Sequence, residues 1–221
     1  MVEVIAGVNG FDGLAIAVKA ASYALLLIAS GSVLCPLTVD GVPLKERRFL
    51  HRLAAGIAPV ALALITARLM LEAVFLAVDD WAAALDPGLL ALVANGALGQ
   101  TLALQGAGMV LIAGGVIRGW IGAVLSLIGV VLIAVSFTTS GHVGDTAEWF
   151  DEALLVVHML SLVFWVGVFL PLYRLSAQSG TAAATVAEDF GRKAIGVVAV
   201  LVVAGLITLN TLTGGLLAAL Q

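Results

Sequence analysis

The sequence predicts an all-α protein of the membrane, a polytopic bundle of about six transmembrane helices forming a single domain over residues 1–221. Three observations predict it. Hydrophobic residues make up 62% of the chain and charged residues 11%, against about 25% charged in a soluble domain. Six stretches approach or exceed the roughly 20 apolar residues that a spanning helix needs. The charges between those stretches alternate in sign from one loop to the next. The net charge of -4 carries little information, and no basic tract suggests nucleic acid as a partner.

The first helix is predicted over residues 14–36, with Pro36 helping to end it. It has no cleavage-site pattern and is too long for a signal peptide, so it reads as a retained helix. A loop with Lys45, Arg47, Arg48, His51 and Arg52 follows, then a second helix over 53–78 carrying Arg68 and Glu72. Asp79, Asp80, Trp81 and Asp86 make an acidic turn with an aromatic anchor. The third helix is predicted over 95–117 and the fourth over 119–139, joined by the tight turn Arg118-Gly119-Trp120. A polar, acidic segment from Ser140 to Glu152 leads to the fifth helix, 153–173. A second basic loop, 174–193, leads to the sixth, 194–220. Small residues recur within these helices, which fits close backbone packing in lipid.

Lys45, Arg47, Arg48, Arg52, Arg118, Arg174, Arg192 and Lys193 fall in one alternate set of loops. The other set holds Asp79, Asp80, Asp86, Asp145, Glu148, Asp151 and Glu152 and no Lys or Arg. Basic loops stay cytoplasmic, so the expected location is the plasma membrane with both termini on the outer, periplasm-like side. The lone Cys35 excludes an intramolecular disulfide.

Charges inside the bilayer are expensive and mark candidate functional groups. Arg68 and Glu72 stand four residues apart, on one helix face and within reach of each other. They read either as a packing pair or as the lining of an ion path. Glu72 and His158 both lie about six residues from the outer ends of their helices, roughly 9 Å deep. His142 sits above them at the end of the fourth helix. Imidazole suits copper and zinc alike, so His142 and His158 are the candidate metal ligands. Glu72, Arg68, Asp145 and Met159 are the candidate pathway or supporting residues. Met159 follows His158 directly and so faces elsewhere on the helix. Cys35 and His51 flank the first basic loop and form a weaker candidate site for a soft metal. The sequence has no Gly-rich phosphate loop ending in Lys-Ser/Thr and no His-Glu-x-x-His motif, so an enzyme is not expected.

The run Ser140-Gly141-His142, then His158-Met159-Leu160-Ser161-Leu162-Val163-Phe164-Trp165-Val166-Gly167, resembles the membrane domain of the copper resistance protein D family (CopD/PcoD-like). The stretch Glu188-Asp189-Phe190-Gly191-Arg192 is similar to that family's following segment, with the Phe and Arg in the opposite order. The resemblance covers roughly residues 96–220. It implies copper transport across a bacterial inner membrane through His142 and His158, alongside a CopC-like periplasmic copper chaperone, with Trp165 and Gly167 serving packing. Two departures stand beside it: six helices where many members have about eight, and no Met-rich outer loop. The competing readings are a haem b-binding electron-transfer protein, with haem held between histidines, and a non-transporting membrane subunit. A homo-oligomer is compatible with each.

Overall fold

The computed structural model describes residues 10–117, 119–139, 149–178 and 180–212. Among them the chain is a bundle of seven α-helices: α1 (Gly10–Thr38), α2 (Leu44–Leu76), α3 (Pro87–Asn95), α4 (Ala97–Gly114), α5 (Trp120–Val135), α6 (Trp149–Ser176) and α7 (Ala182–Leu212). A short 3-10 turn, Trp81–Leu85, precedes α3. Five helices are long and apolar enough to cross a membrane: α1, α2, α4, α6 and α7; α5 is apolar but only 16 residues long. Helices suit this solvent because they satisfy their backbone hydrogen bonds internally.

The helices depart from the predicted bounds in consistent ways. α2 begins at Leu44, so Lys45, Arg47, Arg48, His51 and Arg52 lie on its first turns and not in a loop. α7 begins at Ala182, within the predicted second basic loop. Lys, Arg and Glu are good helix formers, so a helix continues past the apolar stretch that identifies it. α1 likewise runs two residues beyond Pro36.

The predicted third helix, 95–117, corresponds to α4 (Ala97–Gly114), and the apolar residues before it form a separate short helix, α3. Gly96 takes an extended conformation, φ -86° and ψ -178°, and breaks the path between α3 and α4. Gly99 then lets the Ala94 backbone press against the first turn of α4, where a Cβ would collide with it. Asp86 caps α3 by accepting from the Leu89 N–H at 2.9 Å, with Pro87 at the first helical position. At the other end of α4, Gly119 (φ +92°) makes the turn into α5 in a region that side chains disfavour.

α1 is the hub, packing against α2, α4, α5 and α6; α7 packs chiefly on α6. Two contacts place backbone directly on backbone. Gly31 of α1 meets Gly167 of α6, and a Cβ on Gly31 would lie 2.6 Å from the Gly167 Cα. Gly108 of α4 meets Gly129 of α5, and a Cβ on Gly108 would lie 2.8 Å from the Gly129 carbonyl oxygen. Small residues thus do at these seams what packing in lipid requires. Trp165 meets Phe190 of α7 edge-on at 5.2 Å, and Phe164 stacks on the same ring.

The two ends of the bundle differ in charge. At the basic end, Arg174 of α6 donates from Nε to Glu46 of α2 at 2.6 Å and lies over the Phe49 ring at 3.6 Å. Lys193 of α7 donates to Asp189 at 2.7 Å, to the Thr38 carbonyl at 2.7 Å and to Asp40 at 3.1 Å. The Asp40 N–H also donates to Asp189 at 2.8 Å. Glu46 and Asp189 are buried by these contacts. The acidic end carries Asp79, Asp80 and Asp86, all exposed, and there Phe11 of α1 packs edge-on against Trp81 at 5.8 Å.

Candidate functional site

Near the acidic end, α1, α2 and α4 part to leave a cavity of about 420 Å³. Its lining brings together four charged residues: Asp12 and Lys19 from α1, and Arg68 and Glu72 from α2. Phe11, Phe75 and Leu98 are among the apolar residues that complete the wall. Glu72 is half-buried and Arg68 is 7% exposed, so the guanidinium forms a buried part of the lining while the carboxylate lies one turn nearer the acidic end.

Arg68 does not pair with Glu72 as their spacing allows. It turns away, toward α1 and α4. Nη1 donates to Gln105 Oε1 at 3.0 Å and to Ser22 Oγ at 3.4 Å, and Nη2 donates to Tyr23 Oη at 3.4 Å. The guanidinium also lies 4.9 Å from the centre of the Tyr23 ring. A buried cation needs its donors satisfied, and a planar fork with five N–H groups can reach several neutral acceptors at once. The ring face adds a favourable electrostatic contact. Gln105 and Ser22 are fully buried, and Gln105 Nε2 has no acceptor among the described residues.

The cavity holds two cationic and two anionic side chains, so it has no net charge with which to collect ions of one sign. Its balanced charge suits water or a small zwitterion. Arg68 and Glu72 were legible as intramembrane charges. Lys19 carries the same signal, a charge within an apolar stretch, and belongs with them.

The histidines are placed differently. His158 lies nine residues beyond Trp149 on α6, roughly 13 Å along the axis. Its side chain is exposed and makes no hydrogen bond among the described residues. Met159 is buried, so the two neighbours point apart as helical spacing requires. His158 does not line the cavity that holds Glu72 and Arg68. His142, Asp145 and Glu148 lie outside the described residues. Among the described residues, no group of three or more His, Cys, Asp or Glu side chains is placed to hold a metal. Cys35 is buried in the hydrophobic core, whereas His51 lines a second cavity, at the basic end.

Fold and cavity together define a multi-pass helical membrane bundle with a charged cleft near one end. No protein-family model matches the chain, and no curated protein or solved structure matches it either.

Proposed function

We propose that this chain handles copper as its cargo, taking the ion at the acidic end through His142 and His158 and serving its passage across a bacterial inner membrane. The observation that carries the reading is the state of His158. An imidazole within an apolar helix that hydrogen-bonded its neighbours would be a structural group; this one is exposed and makes no such bond among the described residues. Unsatisfied polar groups at membrane depth are expensive, which favours a ring kept free for a ligand. The run from Ser140 to Gly167 supports copper as that ligand through its resemblance to the CopD-like family. Exposed Asp79, Asp80 and Asp86 raise the local concentration of cations at the same end. In this reading the basic end is cytoplasmic by its Lys/Arg excess, and a CopC-like chaperone delivers copper on the periplasmic side.

The test is metal analysis of detergent-purified protein loaded with copper(I) under reducing conditions. The expected result is about one copper per chain, lost in the His142→Ala/His158→Ala double variant and retained in His51→Ala. Copper-free wild-type protein, or a double variant that keeps the metal, overturns the proposal. A Soret band in the purified sample identifies haem instead.

A further inference from the structure

The second cavity, at the basic end, has a volume of about 450 Å³. It lies between the first turns of α2 and the α4–α5 turn, and its polar lining is cationic or ionisable: Arg48, His51 and Arg52. Among the described residues, no carboxylate lines it. The surrounding cations set these apart. Arg174 and Lys193 are held by Glu46, Asp189 and Asp40, and Arg47 donates to the Val42 carbonyl at 3.0 Å. Arg48 and Arg52 have no such partner among the described residues, and both are exposed. They stand four residues apart on one helical face, with His51 beside them. His51 Nδ1 is buried and lacks a hydrogen-bond partner among the described residues.

The opposite wall is small and apolar. Gly115 lies beside the imidazole: a Cβ there would be in ordinary contact, 3.4 Å, with His51 Nδ1. Gly119 has open space where a side chain would be. Leu37, Val116 and Ile117 line the same cavity and are exposed, giving the basic pocket an apolar rim. Two unpaired guanidiniums and an imidazole match the oxygens of a phosphate group. A free phosphate has no use for the apolar rim; a phospholipid does, because its acyl chains begin where its headgroup ends. Basic pockets between membrane helices are a known setting for anionic headgroups.

We propose that this cavity is a binding site for the phosphate headgroup of an anionic glycerophospholipid, held by Arg48, Arg52 and His51, with the acyl chains leaving past Val116, Ile117 and Leu37. The site is independent of copper handling at the other end.

Native mass spectrometry of the detergent-purified chain tests it, with dioleoylphosphatidylglycerol as probe and dioleoylphosphatidylcholine as the neutral comparison. The expected result is a retained phosphatidylglycerol adduct whose affinity falls roughly tenfold or more in Arg48→Gln/Arg52→Gln, the order expected from two basic side chains near a lipid surface. Lys45→Gln/Arg192→Gln removes the same charge at the same end and is expected to leave the adduct in place. Ala123→Trp keeps every charge but fills the cavity, and is expected to remove the adduct. Equal loss in both charge variants, or an Ala123→Trp protein that still binds, reduces the effect to diffuse surface charge and overturns the site. Displacement of the lipid by excess inorganic phosphate assigns the pocket to free phosphate and overturns the lipid assignment.

Discussion

Replacing Gly167 by alanine places a methyl group where α1 and α6 touch through backbone. The reciprocal Cβ on Gly31 would lie 2.6 Å from the Gly167 Cα and 2.7 Å from its nitrogen, whereas ordinary contact begins near 3.4 Å. The listening atoms are backbone, so no rotamer change relieves the clash and the helices must separate by roughly 1 Å. A gap of that size forfeits about a quarter to a half of each dispersion well along the seam. Overpacking strain adds about 1–3 kcal/mol, so Gly31→Ala or Gly167→Ala is expected to destabilise the bundle by about 2–4 kcal/mol. The double variant is expected to lose less than the sum, because one separation accommodates both methyl groups. Gly56→Ala and Gly196→Ala are the controls: both positions are helical with nothing within 4 Å, and alanine there is neutral or stabilising. Reversible unfolding in mixed micelles, or thermal melting in one detergent, measures all five variants. Equal stability of Gly167→Ala and Gly196→Ala refutes the argument, as does strict additivity of the pair.

Two further outcomes follow from buried charges. Gln105→Leu removes the acceptor closest to Arg68 and is expected to destabilise the protein by about 1–3 kcal/mol, whereas Gln105→Glu retains an acceptor and melts at or above the wild-type temperature. Glu46→Gln is expected to cost about 1–3 kcal/mol, less than a fully buried pair because Arg174 is 35% exposed. The Glu46→Leu/Arg174→Leu double variant recovers part of that loss in the same melting assay, since neither charge is then left alone.

The bundle was largely legible because two signals agree. Apolar length marks the spans, and the sign of the intervening charges sorts their ends, as Arg174 with Glu46 at one end and Asp79 with Asp80 at the other bear out. Hydropathy reports where lipid lies and not where backbone hydrogen bonds stop, which is why the starts at Leu44 and Ala182 were hidden within basic segments. The break at Gly96 falls beside the predicted start at residue 95, whereas α3 before it was not predicted because its 9 residues are too few for a span. At the site, depth and spacing identified Arg68 and Glu72. Their failure to pair depends on how α1 and α4 rotate Tyr23 and Gln105 toward the guanidinium, which a linear pattern does not encode. The same is true of Asp12 and Lys19, which join the cavity only once α1 is set beside α2. The association of His158 with Glu72 rested on similar depth; depth fixes height in the membrane but not direction around the axis.

The ties from Arg174 to Glu46 and from Lys193 to Asp40 and the Thr38 carbonyl gather the feet of α1, α2, α6 and α7. A bundle fastened this way behaves like a fan held at its rivet. Small tilts about the fastened end would become larger displacements at the far tips of these four helices.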